Sequence, residues 1–529
     1  MRGDRRAIRG TDSDSIEEKA PAKYQRKCQG SHLKKKIEES INRCFRALQK
    51  NTCYTAKHGL QPALFHYAFP MDTRIDIIAH SPAALAIRAL EKSGYQAWIV
   101  GGWVRDTLME RMPHDADIAT NAPWEHTKRI MRDVGYAVHE TGVKHGTVTA
   151  IVSGEPIEIT TYRIEGPYSD SRHPDYVEFV DSIELDLARR DFTMNAIAFH
   201  PTRGIFDPFD GASDIEARTI RAVGDARKRF EEDPLRILRA ARFEAQTGFE
   251  IEPATRDAAF SCAHLLGSVA RERTGSELTK LLYGPYAGRV IENEFPIVAQ
   301  TINELEAARG FKLKSKRHAY DLLGHLAHSV SAAPENEALR WAALLHDIAK
   351  PESNHDHAQR SSIVATRIMQ RLRIGRQQTQ QAADAIAWHT TSFPPSEEAL
   401  RLFVACLGGD VPRARRALLL QRADASGHGP KGDAREKEVD EELAMLDALE
   451  CSGKPLGAKQ LALSGKEVAD LGNLHGSEIG RSLDALLAAV VEGEVENTPE
   501  ALRSHLNFAI ENAEEQIFQK KLRKFLTKR

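Results

Sequence analysis

The sequence predicts an α+β protein, with a sheet in its first half and a mostly helical second half. Three observations predict this. An apolar strand runs into a double-glycine turn over Trp98–Gly102, and the alternating segment Asp115–Thr120 follows. A strand pair occupies 145–163: Val148, Ala150 and Val152 alternate on one run and Ile157, Ile159 and Thr161 on the next, with Gly154 and Pro156 near the turn. Helix signals dominate downstream. Asp233 and Pro234 stand as cap and first residue before Leu235 and Leu238, and 269–282 is amphipathic.

The 529 residues suffice for roughly three or four domains. A content of 41% hydrophobic and 28% charged residues excludes a wholly disordered chain. No apolar run approaches the roughly 18 residues of a membrane span, and the N-terminus lacks a secretory core, so a cytoplasmic protein is expected. The cysteines at 28, 44, 53, 262, 406 and 451 follow neither metal nor disulfide-framework spacing, which fits a reducing compartment. The net charge of −2 is unevenly spread, since residues 1–70 hold 15 Lys and Arg against 7 Asp and Glu. Nucleic-acid binding elsewhere must use local basic patches. Residues 1–74 are polar and poorly periodic; they are expected to be mainly disordered, with one short helix across Leu33–Leu48.

Along an extended segment side chains alternate between faces, so Asp115 and Asp117 project together while Ala116 turns inward. Two carboxylates on one rigid face can hold a pair of Mg2+ ions, one activating a hydroxyl and one steadying a leaving pyrophosphate. Gly101 and Gly102 let the backbone approach a triphosphate whose charge Arg105 offsets. After a helix over Glu125–Met131, the strand alternation turns Glu158 away from Ile157 and Ile159. Glu158 is thus either a third carboxylate beside the aspartates or a solvated hairpin residue, and Glu155, in the turn, is the weaker candidate. Residues 163–179 read as a loop, broken by Gly166, Pro167 and Pro174.

Gly101, Gly102, Arg105, Asp106, Arg111, Pro113, Asp115, Asp117, Ala119 and Thr120 together resemble the signature of the class II tRNA nucleotidyltransferases and bacterial poly(A) polymerases. The resemblance covers about residues 75–510 and implies a polymerase-β-like nucleotidyltransferase head. Residues 187–199 resemble the family's second motif, in which Arg190 would donate to phosphate oxygens and Asp191 would accept from a ribose 2′-hydroxyl. The loop of 163–179 resembles the flexible loop required for adding the final adenosine. In 229–243 the residues matching Asp233 and Arg236 read the Watson–Crick edge of the incoming nucleotide; on spacing alone they are a helix-terminus salt bridge. A carboxylate acceptor beside a guanidinium donor suits the amine and ring nitrogen of cytosine and adenine and conflicts with uracil and guanine. Glu232 and Arg239 are expected to fix the rotamers of that pair. Arg271 and Arg273 either reach this pocket or RNA or lie on a solvated helical face.

His325, the adjacent pair His346 and Asp347, and the later Asp424 resemble an HD domain, a helical metal-dependent phosphohydrolase module. Their mixed imidazole and carboxylate set suits a transition metal such as Mn2+ or Ni2+ rather than Mg2+ alone. His328 competes with His325, and His355, His357 and His389 stand where some HD domains have extra ligands. From Gly453 on, the Ser464-Gly465-Lys466 turn and a helix beginning at Gly480 and Leu483 resemble the C-terminal helices of bacterial CCA-adding enzymes, implying a grip on tRNA phosphates. Lys520, Lys521, Arg523, Lys524, Lys528 and Arg529 either extend that grip or form a solvated face.

The implied organisation is an extension (1–74), a head (75–220), a helical neck (221–315), an HD domain (316–435) and a helical tail (436–529). The implied activity is template-independent addition of C, C and A from CTP and ATP to the tRNA 3′ end, with Mg2+ in the head. The competing readings are a poly(A) polymerase, a CC-only or A-only enzyme, and a protein that is chiefly an HD phosphohydrolase. Gly142–Val152 lacks the basic Gly-Arg-Arg-Phe run that the poly(A) polymerases carry, which favours CCA addition.

Overall fold

The computed structural model describes residues 81–113, 115–166, 177–313, 319–353, 355–514 and 527–528. The N-terminal extension, the middle of 163–179, and Lys520, Lys521, Arg523, Lys524 and Arg529 lie outside the described residues. Two compact units emerge. One comprises the chain up to Arg163 with Phe179–Leu187 and Met194–Ile215; the other comprises Ile164–Glu178, Ala188–Thr193 and Glu216 onward.

The first unit opens with α1 (Pro82–Lys92), where the Ser81 hydroxyl accepts from Ala84 N at 3.2 Å and proline takes the first helical position. There follow β1 (Ala97–Val100), α2 (Gly102–Leu108), β2 (Asp117–Thr120), α3 (Trp124–Asp133), β3 (Ala137–Gly142), β4 (Thr147–Val152) and β5 (Glu155–Thr161). β6 (Arg163–Glu165) pairs with β7 (Val177–Phe179), most residues of both counting with the second unit, and the first unit goes on with α4 (Ile183–Ala188), β8 (Ala198–His200), β9 (Gly204–Phe206) and α5 (Gly211–Glu216). Seven strands form one sheet in the order β3-β4-β5-β2-β1-β8-β9. β2 and β5 run parallel, and the other neighbours antiparallel. Ser153 and Gly154 both take positive φ (53° and 88°), the two-residue turn whose twist suits a hairpin between β4 and β5. Val148, Ile118 and Ile159 are buried together across three strands, and α1 and α3 pack on this sheet.

The second unit is helical. α6 (Ala226–Glu232), α7 (Leu235–Thr247), α8 (Pro253–Cys262), α9 (Arg271–Leu282), α10 (Ala287–Asn293) and α11 (Phe295–Thr301) form its first part, with β10 (Thr219–Ile220) parallel to β11 (Glu250–Ile251). Then come α12 (Leu322–Ala332), α13 (Glu337–Leu345), α14 (His357–Arg371), α15 (Arg376–Trp388), α16 (Glu397–Cys406), α17 (Val411–Ser426) and α18 (Asp433–Ser452). α19 (Gly465–Gly472), α20 (Ser477–Val491) and α21 (Pro499–Glu514) close the tail around Leu486, Leu487 and Leu502. β12 (Thr391–Ser392) pairs with β13 (Thr527–Lys528), so Lys528 lies opposite Thr391.

Three local readings change. The loop of 163–179 begins and ends as paired strands, because the breakers Gly166 and Pro167 come only after β6. Ser464 is not a turn residue but the cap of α19, with Ser464 and Glu467 satisfying each other's backbone N–H groups. The next helix starts at Ser477, ahead of Gly480. Cys262, Cys406 and Cys451 are free thiols, and no described helix is long and apolar enough to cross a membrane.

Among the first helices of the second unit, Glu244 and Glu294 are buried beside Arg256, whose Nε is 2.8 Å from Glu294 Oε1 and whose Nη2 is 3.7 Å from Glu244 Oε2. Burial, then the neighbouring Glu294, pushes the Glu244 carboxyl up to about 7. A raised folded-state pKa means that this group's contribution to stability is present below its ordinary value and is lost as pH rises through 7. The melting temperature of the parent chain should therefore fall between pH 5 and pH 8, and Glu244→Gln should flatten that fall. An unchanged pH profile by calorimetry would refute the assignment.

Candidate active site and metal centre

In the first unit, Asp117 is exposed at the start of β2 while Ile118, Ala119 and Thr120 are buried behind it. The parallel pairing sets Asp117 directly opposite Glu158 of β5, and Glu158 is in turn opposite Thr149 of β4. Residues in register share a face, and neighbouring strands lie about 4.8 Å apart, so the two carboxylates are side by side on an exposed surface. Asp115 is exposed and Ala116 half-buried, so the predicted alternation begins before the strand itself. Glu155 is the first residue of β5, not a turn residue, and its parity puts it on the other face from Glu158. Gly101 has φ 74° and ψ −136°, a backbone that favours glycine, where β1 turns into α2. One turn on, half-buried Arg105 donates from Nε to Asp106 Oδ1 at 2.8 Å and from Nη1 to Asn195 Oδ1 at 2.7 Å, which fixes its guanidinium.

In the second unit, the carboxylate of buried Asp191 receives Arg239 Nε at 2.8 Å and Nη2 at 2.6 Å on Oδ2, and Phe192 N at 2.8 Å on Oδ1. Arg239 thus pairs with Asp191 rather than bracing Asp233 and Arg236, as the sequence had suggested. Glu232 behaves as expected: its Oε2 takes Arg236 Nη1 at 3.0 Å. Arg236 is buried, and its Nη2 also donates to the Arg189 carbonyl at 2.8 Å. The cap position of α7 falls on Pro234, one residue later than the sequence suggests, and Asp233 stands just before it, accepting Leu235 N at 3.1 Å on Oδ1 and pairing through Oδ2 with Arg273 Nη2 at 3.1 Å. Among the described residues Asp233 and Arg236 form no ion pair with each other. Arg271 is exposed and Arg190 half-buried.

His325, His346, Asp347 and Asp424 converge from α12, the end of α13 and α17. His325 Nε2 is 3.0 Å from His346 Nε2, 3.5 Å from Asp347 Oδ2 and 3.1 Å from Asp424 Oδ1; His346 Nε2 is 3.5 Å and 3.4 Å from the same two oxygens. Ligands about 2.1 Å from one ion at octahedral or tetrahedral angles lie roughly 3.0–3.4 Å apart, close to the observed 3.0–3.5 Å. A direct charged hydrogen bond would be shorter, about 2.7–2.9 Å. His346 Nδ1 lies 2.9 Å from the Ala343 carbonyl, which only an N–H can satisfy, so the Nε2 lone pair of neutral His346 points at the carboxylates. Burial lowers the pKa of His346 and favours that neutral form. The donor set therefore fits a divalent metal. His328 is excluded from the cluster, since it is stacked on Tyr320 with centroids 4.0 Å apart. Exposed His355 takes no part, whereas His357 and His389 approach Asp347.

Two neighbours escaped the sequence analysis. Lys350, one turn after Asp347, forms an ion pair with its Oδ2. Burial lowers the pKa of Lys350, but Asp347 and Asp424 outweigh it and hold the ammonium charged. His428 stacks on His325 with centroids 5.2 Å apart, and burial holds it neutral, down to about 4. The His-Asp-x-x-Lys spacing signals the first neighbour and the Asp-x-x-x-His spacing the second.

An exposed carboxylate row on a mixed sheet, joined in one chain to a buried His/Asp cluster among helices, defines a polymerase-type nucleotidyltransferase carrying an HD domain. The family described as "Poly A polymerase head domain" matches residues 97–221, "Probable RNA and SrmB- binding site of polymerase A" matches 248–293, and "HD domain" matches 317–426. A CCA-adding enzyme of Geobacillus stearothermophilus is 37% identical over 426 residues, spanning 79% of this chain and 95% of the relative. One of Geobacillus thermodenitrificans is 35% identical with the same coverage. The crystal structure of the Bacillus stearothermophilus CCA-adding enzyme in complex with CTP superposes with a TM-score of 0.59 at 30% identity, covering 82% of this chain and 97% of that one. The chain belongs to the family of CCA-adding enzymes, and it is a tRNA nucleotidyltransferase.

The Asp191–Arg239 pair generates a stability prediction. Asp191→Ala leaves the Arg239 guanidinium, 31% exposed, with the longer 4.0 Å contact to Glu277 in place of its close partner, and should destabilise the second unit by about 2 kcal/mol. Adding Arg239→Met should recover part of the loss in melting temperature. A double variant less stable than the single one would count against a coupled pair.

Proposed function

We propose that the chain adds C, C and A, from CTP and ATP, to the 3′ end of tRNA. The direct parallel pairing of Asp117 with Glu158 on an exposed face, in a chain of this family, carries the reading. The tRNA 3′-hydroxyl oxygen attacks the α-phosphorus of the nucleotide, the new P–O bond replaces the bond to the β-phosphate, and pyrophosphate leaves. Asp115 and Asp117 would hold Mg2+, with Glu158 as the third carboxylate; Mg2+ there supplies charge to offset the triphosphate. Gly101, Gly102, Arg105 and Arg190 serve the phosphates. Asp191 serves the ribose, its carboxylate oriented by Arg239 and by Phe192 N. Asp233 and Arg236 select the base, and the backbone carbonyls and Glu232 around Arg236 support that role by fixing its orientation. The domain bounds 75–220, 221–315, 316–435 and 436–529 accompany this reading, with tRNA held mainly by the later helical parts.

Asp115→Ala and Asp117→Ala should each abolish incorporation while leaving tRNA binding largely intact, and Glu158→Ala should lower it by a smaller factor. Incorporation at the parent rate by both aspartate variants would overturn the metal assignment. Sequencing the products from tRNAs ending before C, CC and CCA should show completed CCA ends; long A-only tails would point to a poly(A) polymerase instead.

A second activity is favoured by the ligand spacing of the His/Asp cluster. His325, His346, Asp347 and Asp424 would bind a transition metal such as Mn2+ or Ni2+, and the module would hydrolyse a phosphate ester or a 2′,3′-cyclic phosphate. His346→Ala should abolish release of a monophosphate from a 2′,3′-cyclic nucleotide and leave CCA addition intact. Loss of both activities in a folded variant would refute independent sites.

A further inference from the structure

We infer that the stacked rings of Tyr320 and His328 form a platform for the base of a nucleotide whose phosphate ester is held at the cluster of His325, His346, Asp347 and Asp424. This rests on the reading of that cluster as a phosphohydrolase centre, and the experiment below separates the two.

Tyr320 stands just before the start of α12, and its ring lies back along the helix onto His328, with centroids 4.0 Å apart and planes 18° from parallel. The backbone is anchored there. Neighbouring Asp321 caps α12, accepting Gly324 N at 2.9 Å on Oδ1 and Gly310 N at 2.7 Å on Oδ2. Gly324 clears the path of the side chain, since a Cβ at that position would stand 3.0 Å from Tyr320 Cβ, tighter than side chains normally pack. His328 covers one face of the ring, yet Tyr320 is 37% exposed, an aromatic surface left to solvent.

The platform adjoins the cluster. His325 and His328 are three residues apart on α12, which sets their Cβ atoms about 5–6 Å apart on one side of the helix. The loop after α17 touches both places: a Cβ at Gly427 would lie 2.7 Å from His325 Nδ1, and one at Gly429 would lie 3.5 Å from Tyr320 Cε2. Two residues of chain span at most about 7 Å, a separation that the ribose of a nucleotide bridges between base and phosphate. His428, the residue between those glycines, stacks on His325. A flat π surface beside a phosphate-binding centre favours an ester that carries a flat aromatic group, and every nucleobase offers such a face. Tyr320 is thereby a specificity-determining residue that acts on KM and takes no part in the chemistry. In that chemistry a water oxygen bonds to phosphorus, one P–O bond of the cyclic ester opens, and the freed ribose oxygen takes a proton from the water.

The test compares adenosine 2′,3′-cyclic phosphate with the base-free 1-O-methylribose 2′,3′-cyclic phosphate on the full-length chain. The parent should show a KM about tenfold lower for the adenosine ester, the gain that stacking on an aromatic ring supplies. Tyr320→Leu should erase that gap without lowering kcat, and Tyr320→Trp should restore it; an unshifted melting temperature reports that the leucine variant folds. A short RNA ending in the same adenosine cyclic phosphate is run beside the mononucleotide. A rise in KM in Tyr320→Leu with either one supports the platform and names the source of the base, and a rise with neither overturns it. A second readout needs no hydrolysis: with a chelator present, adenosine 2′-monophosphate should quench the fluorescence gained by Tyr320→Trp. Equal KM for both esters in the parent would overturn the platform and leave the phosphohydrolase reading standing. Quenching without hydrolysis of any ester would overturn the phosphohydrolase reading and leave the platform standing, and the absence of both signals would overturn both.

Discussion

The register between β2 and β5 is the constraint on which the head depends. A strand's side chains repeat every two residues, so a slip of one position would carry Asp117 or Glu158 to the other face. That slip is opposed by burial: Ile118 lies opposite Ile159, and Ile159 opposite Val148, and all three are almost wholly removed from water. Each such side chain contributes roughly 1.5–3 kcal/mol when buried, and a slip would expose them together. The carboxylates, which repel one another and gain little from folding, are aligned by apolar neighbours one residue away. The hairpin turn at Ser153 and Gly154 adds to this, because its length sets the pairing of β4 with β5.

The second unit uses a different device, in which guanidinium groups are oriented by acceptors that come from several elements. Arg236 is held by Glu232 on α6 and by backbone carbonyls at Arg189 and Arg229. Asp233 is held by Arg273 on α9 and by the first turn of α7. On the proposed reading, groups so restrained would lose little conformational entropy on meeting a base, and a base of the wrong polarity would meet buried atoms that cannot turn to suit it. Discrimination between cytosine or adenine and uracil or guanine would follow from rigidity as much as from the identity of the two residues.

Much of this was legible in the chain. Alternation alone turned Asp115 and Asp117 to one side and left Glu158 either beside them or a solvated hairpin residue, and the Asp-Pro pair marked the start of α7. What was not legible depends on contacts distant in sequence. The choice between His325 and His328, three residues apart on α12, is settled by Tyr320, which stacks on the latter, and the exposure of His355 beside a His357 that approaches Asp347 accompanies a left-handed residue at 356. Arg239 could be seen to lie on α7, but its partner Asp191 is 48 positions earlier. β6 and β7 were missed because each is only three residues long, too short for the alternation in Arg-Ile-Glu and Val-Glu-Phe to stand out, and pairing across the intervening segment leaves no local trace.

The helical cluster raises a question of energetics that the head does not. His325, His346 and Asp347 are wholly removed from solvent in the core of the second unit. Taking ionised groups out of water costs several kcal/mol each, and mutual attraction offsets this only with close, well-directed hydrogen bonds. Here the contacts among imidazoles and carboxylates are mostly 3.1–3.5 Å, too long for strong hydrogen bonds, and two of the rings have committed their Nδ1–H groups to backbone carbonyls. The Lys350 ammonium offsets part of the Asp347 charge from one side only. Leucine and methionine in these positions would pack at least as well and remove the desolvation cost. A group this unfavourable to folding makes physical sense as a receptor for cations, whose binding energy stabilises the folded chain by mass action.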